Sequence, residues 1–138
     1  MFIISFLIQY IIMSLIMTND IKNIKQSIGK VYISVIMGLL MVLAMMLFMS
    51  SGKFRMNQMA IYTGLLLLSI YLYKIQFGID EANYLQEMIE HHSMALLTSH
   101  QMMAKTSNFA VADIANRIIN TQEKEIQEMT NLLKIAKN

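Results

Sequence analysis

Met88 and His92 are four residues apart, and His91 follows Met88 by three. On a helix all three side chains lie within about 60° of a common face. Imidazole and thioether are ligands for late transition metals, and the thioether suits Cu(I) in particular. Thirty residues on, Gln122, Glu125 and Met129 recur at spacings of three and four. A carboxylate and an amide there complete a ligand shell or hold the imidazoles in one tautomer. The same residues also read without a metal, as a His pair hydrogen-bonded to Gln122 and Glu125 that fixes the register of two helices. Spacing alone leaves both readings open. His100 lies off this face and reads as a surface residue, Met94 lies on the far side of the helix, and Met102 and Met103 read as packing.

Two helices have to position these groups. After Gly78 the composition turns polar, Asp80 is suited to cap a helix, and Glu81 favours its first turn. The pattern predicts helices over about 80–105 and 109–136, joined by Thr106-Ser107-Asn108, a turn signal. Leu85, Met88, His92, Ala95, Ser99 and Met102 form a 3-4-3 seam on the first, and Val111, Ala115, Ile118, Gln122, Glu125, Met129 and Leu132 form one on the second. A short turn makes the helices antiparallel neighbours. With the turn centred on Ser107, His92 faces Gln122, Met88 faces Glu125 and Ile126, and Leu85 faces Met129. The polar residues of both seams then share the same layers.

The 79 residues before this hairpin are of another kind. The chain has 138 residues, 56% hydrophobic and only 14% charged, with no Cys, no Pro and 15 Met. That balance argues against disorder and against an ordinary soluble enzyme, and the absence of Cys excludes disulfides and thiolate metal sites. Met1–Thr18 carries no charged side chain and is about 27 Å long as a helix, Val31–Gly52 is uncharged, and Met56–Tyr73 is a third uncharged run. We therefore expect three membrane spans, over about 2–18, 31–52 and 57–77. Tyr71, Tyr73 and Phe77 would form an interfacial belt, with Lys74 snorkelling from its end. Met37, Met41, Met45 and Met49 make one stripe in the second run, read as packing because no polar ligand interrupts it.

Charge divides the same way. Residues 1–57 carry five cations against Asp20, whereas residues 80–138 carry eight acids against five cations. No basic cluster with interleaved aromatics exists, so nucleic acid is not an expected partner. The loops between the expected spans carry three and two cations, which does not decide orientation.

The run Tyr84–Ser99, with Met88-Ile89-Glu90-His91-His92-Ser93-Met94-Ala95 at its centre, resembles the Met-Ile-Pro-His-His-Ser-x-Ala segment of domain-of-unknown-function family 305. Gln122-Glu123-Lys124-Glu125-Ile126-Gln127-Glu128-Met129 resembles its second signature, Gln-x-x-Glu-Ile-x-x-Met. The three spans resemble the membrane-anchored branch of that family. The resemblance implies a ferritin-like helical bundle, an extracytoplasmic hairpin, and a copper-binding or copper-resistance setting for some members. It carries the signature onto Met88, His91, His92, Gln122, Glu125 and Met129. One departure stands out: Glu90 occupies the family's Pro position, which should straighten the helix and add a carboxylate beside His91.

No Glu-x-x-His pair, His-Glu-x-x-His motif, P-loop or glycine-rich dinucleotide loop occurs, so no enzyme is expected. The expected protein is all-α, with three transmembrane helices (residues 1–79) followed by an antiparallel ferritin-like hairpin (80–138). A hairpin of this size buries little alone, and homodimerisation would complete a four-helix bundle. Its expected ligand is a copper ion held by Met88, His91, His92, Glu125 and Met129, with Gln122 and Glu90 in support. The other expectation is a metal-free oligomerisation module in the bilayer, the His pair being a core polar layer.

Overall fold

The computed structural model describes residues 1–48 and 56–136 and is helical throughout its regular elements. Met49, the end of the second expected span and the Lys53/Arg55 loop lie outside the described residues. The helices are α1 (Phe2–Leu7), a π-wound segment (Ile8–Met13), α2 (Ser14–Met17), a 3₁₀ turn (Ile21–Asn23), α3 (Ile28–Phe48), α4 (Met56–Lys74), α5 (Glu81–Lys105) and α6 (Phe109–Ala136). They group into two compact units. One contains residues 1–13 and 28–79, and the other contains residues 14–27 and 80–138.

The first unit holds α1, α3 and α4. Phe2, Phe6 and Tyr10 line up along the first helical run, with ring centroids 6.3 and 5.7 Å apart. Phe2 packs over Gly38 of α3, where a β-carbon would come within 2.8 Å of the Phe2 ring. Tyr32 and Tyr73 join α3 to α4 with centroids 6.4 Å apart, and the Tyr32 hydroxyl donates to the Phe77 carbonyl at 3.1 Å. Helix α4 ends through Gln76 and Gly78, both at positive φ, a conformation that glycine adopts without strain.

Among the described residues only Ile28–Phe48 is long and apolar enough to cross a membrane, and 17% of its apolar window is buried. This narrows the expectation of three spans. The run Phe2–Met17 is apolar but shorter, and its last turn leaves the first unit. Helix α4 has 19 residues, but Asn57, Gln58, Tyr62, Thr63, Ser69, Tyr71 and Tyr73 dilute it.

The second unit is the α5/α6 hairpin with residues 14–27 laid along α5. Asp80 caps α5, accepting the Asn83 N–H at 2.7 Å, and this bond holds the Asp80 carboxyl below its ordinary range. At the turn, Asn108 rather than Ser107 caps α6, its Oδ1 accepting from Ala110 N–H at 3.0 Å. The core is Ile89 and Leu96 of α5 with Ile119, Ile126 and Leu133 of α6, and Ala82, Leu85 and Met129 pack against it.

These residues repeat at seven, two helical turns. They sit one row over from the expected seams. On α6 two heptad rows run side by side, Val111-Ile118-Glu125-Leu132 and Ala112-Ile119-Ile126-Leu133. The hairpin buries the row without the carboxylate, and Val111, Ile118 and Leu132 stay 38%, 37% and 53% exposed. On α5 the buried arc is displaced because the helix is covered on two flanks. Ile89 and Leu96 face α6, whereas Glu90 and Ser93 meet residues 14–27.

Candidate functional site

His92 and Glu125 form the centre of the candidate site. The Nδ1 of His92 lies 2.8 Å from the Met88 carbonyl oxygen. A carbonyl only accepts, so Nδ1 carries the hydrogen and Nε2 is the outward nitrogen. That Nε2 lies 2.9 Å from Oε2 of Glu125 across the hairpin. The imidazole is 13% exposed and the carboxylate 43%. Gln122, one turn before Glu125, donates its amide to the same Oε2 at a long 3.4 Å. At 2.9 Å the two atoms are within hydrogen-bond distance, joined by one proton carried by either group.

The sequence thus indicated a layer that the fold does form, with a partner shifted by one turn. His92 meets Glu125, with Gln122 reaching it only through that carboxylate. His91 is exposed, and its ring centre lies 6.2 Å from that of His92 in an edge-on arrangement. Met88 contributes its carbonyl to His92 and is itself half-buried. Met129 packs on the apolar core. His100 is exposed and donates from Nδ1 to the Leu96 carbonyl at 2.8 Å.

Glu90 lies within α5, which runs unbroken through it. Its carboxylate, however, serves residues 14–27. Oε1 accepts from the Ser14 hydroxyl at 2.5 Å and Oε2 from the Lys25 backbone N–H at 3.0 Å. Ser93, one turn on, accepts at its Oγ from Asn19 N–H at 3.0 Å and Asn23 Nδ2 at 3.3 Å. No short-range pattern marks these contacts, which join residues more than 60 positions apart.

Among the described residues no three His, Asp or Glu side chains gather closely enough to hold a metal ion. The donor chemistry fits a metal in part. A backbone carbonyl orients the imidazole through Nδ1, and Nε2 and a carboxylate oxygen converge. Further donors have to be thioethers or come from outside the chain.

Beside this layer the hairpin presents an open apolar face. A groove between α5 and α6 is lined by Thr98, Ser99, Met102, Val111, Ile114 and Ile118, with Ala115 at its floor.

Fold and layer together define a helical hairpin with a buried-edge imidazole–carboxylate pair. Residues 81–138 match the family model described as Domain of unknown function (DUF305), so the two signatures lie inside the matched segment. The chain is also similar to "Uncharacterized protein L153" of Acanthamoeba polyphaga mimivirus, 34% identical over 77 residues. That alignment covers 56% of this chain and 51% of the viral protein, so the chain spans about half the length of this relative. No solved structure matches it.

Proposed function

We propose that the protein is a membrane-anchored metal-binding protein, not an enzyme, whose hairpin takes up a copper ion at the His92–Glu125 layer. The observation that carries this reading is the pair itself. His92 is fixed by Met88 so that Nε2 points at the Glu125 carboxylate, which supports the reading by bringing an imidazole nitrogen and a carboxylate oxygen together. The ion would replace the proton there, with Met88 and the exposed His91 as the nearest further donors and Met129 one turn beyond Glu125. Imidazole with thioether favours copper over the hard cations that oxygen ligands select. A bound ion would be buffered or handed on.

Among the described residues no more than two His, Asp or Glu side chains converge, fewer than the four ligands of a closed site. A second copy seated on the open face would supply the rest and complete a four-helix bundle. The exposed row of Val111, Ile118 and Leu132 supports this arrangement, because it runs through Glu125 and continues the groove. The anchor would be α3, with α1 and α4 as shorter or more polar companions, and an extracytoplasmic hairpin is what the resemblance implies.

A metal-free reading also has support, since both His92 nitrogens are satisfied within the chain. The layer would then set the register of a dimeric bundle.

Copper titration of the full chain in detergent separates the two. The metal reading expects a stoichiometric copper ion per chain or per two chains, lost in His92→Ala and in Glu125→Ala, and a dimer weakened by chelator. Absence of stoichiometric copper, with a chelator-resistant dimer broken by Ile118→Asp, establishes the structural reading instead.

A further inference from the structure

Residues 14–27 are held to α5 in a different manner from α6. No residue of this segment belongs to the apolar core, which is built entirely from α5 and α6. Of the segment's large apolar side chains, Leu15, Ile16, Met17 and Ile21 are 40–74% exposed and Ile24 is half-buried. What it buries is polar: Ser14, Thr18 and Ser27 on its side, Glu90 and Ser93 on the side of α5.

Glu90 is the one charged residue buried among the described residues. Burying a carboxylate is costly unless hydrogen bonds satisfy it. Here a serine hydroxyl and a backbone N–H do so, from the two ends of the segment. Ser93 grips the middle, taking the Asn19 N–H at both its hydroxyl and its carbonyl, the latter at 3.2 Å. The 3₁₀ turn at Ile21–Asn23, capped by Asp20 accepting from Lys22 N–H, shapes the chain so that Asn19 and Asn23 both reach Ser93.

We infer that residues 14–27 form a clasp on α5, keyed by Glu90 and Ser93, which opens and closes while the α5/α6 core stays folded. The physical basis is the separation of materials. The clasp adds no residue to the apolar core, and water can replace each bond that it loses on opening, so it belongs to the low-stability end of the fold. Closing fixes the chain between the first two apolar helices onto the turn of α5 that carries His91 and His92. This inference does not rest on metal binding.

Trypsin tests it, because Lys22 and Lys25 lie inside the clasp whereas Arg117 and Lys124 lie in α6. The full chain in detergent, metal-free, is digested and its cleavage sites are followed by mass spectrometry. In Glu90→Ala and in Ser93→Ala, cleavage after Lys22 and Lys25 should rise at least tenfold, while cleavage after Arg117 and Lys124 stays within twofold. Ser93→Ala removes the Oγ that accepts from both Asn19 and Asn23 without disturbing the helix, and it decides the matter alone should Glu90→Ala fail to fold. Unchanged cleavage at Lys22 and Lys25, or equal acceleration at all four sites, overturns the inference.

Discussion

The His92–Glu125 contact makes a quantitative prediction through a double-mutant cycle of His92→Ala and Glu125→Ala. The atoms are 2.9 Å apart, within the range of charge-assisted hydrogen bonds. Fully exposed ion pairs contribute about 0.2–1 kcal/mol, and hydrogen bonds to charged groups about 1.5–3 kcal/mol. With the imidazole 13% and the carboxylate 43% exposed, the pair falls where those ranges approach one another. We expect a coupling of about 1 kcal/mol, roughly a fivefold change in an opening equilibrium. Hydrogen exchange of the slowest amides around Ile89, Leu96, Ile119 and Ile126 reads that equilibrium in the full chain, metal-free. Glu125→Gln should retain part of the coupling, because its amide N–H can donate to Nε2. If the two single substitutions are additive within about 0.3 kcal/mol, the two side chains are merely adjacent and the argument for a shared proton fails.

Three further outcomes follow from the fold. Ile89 is fully buried in the core, so Ile89→Ala should cost about 2–5 kcal/mol in the same exchange experiment, and Ile118→Ala well under that in the monomer; comparable losses would mean that the helices pack in the other heptad phase. Asp80→Ala should lower the melting temperature of the hairpin at neutral pH. The Asp80 carboxyl is held below its ordinary range when folded, so its contribution is present above the unfolded pKa of about 3.9 and fades as pH falls through the folded value. Asp80→Asn, which caps without titrating, should remove that pH dependence, and melting curves of the three proteins from pH 6 to pH 2.5 check it. Gly38→Ala would press on the Phe2 ring and should speed hydrogen exchange over residues 2–13, with unchanged exchange showing that the ring yields freely.

The sequence made the hairpin legible because its signals are local. Asp80 and Asn108 cap, Thr106-Ser107-Asn108 turns, and the apolar repeat persists for about six turns on α6. The layer was legible to within one turn, because a short turn restricts an antiparallel hairpin to a few neighbouring registers, and His92 meets Glu125 rather than Gln122. The choice of seam was not. Adjacent heptad rows on α6 are almost equally apolar, and the row containing Glu125 loses only when the single hairpin must bury one of them. Counting uncharged residues likewise made α4 a third span, whereas hydropathy weighs its Asn, Gln and Tyr side chains against its leucines.

The clasp shows what periodicity cannot convey. Ser14 falls inside the uncharged run Met1–Thr18, and Glu90 reads as a carboxylate beside a histidine. Their meeting depends on a contact across 76 residues, which no window detects. The substitution of Glu90 at a proline position nevertheless held information. A helix that gains a buried carboxylate where proline would have kinked it must supply donors to that carboxylate from outside its own backbone. Glu90 therefore implies a partner segment, and the hydroxyl of Ser14 and the amide of Lys25 are that partner. By this reasoning, a related hairpin that keeps proline at the position of Glu90 has no carboxylate to satisfy, and its preceding chain is free of the constraint that residues 14–27 obey here.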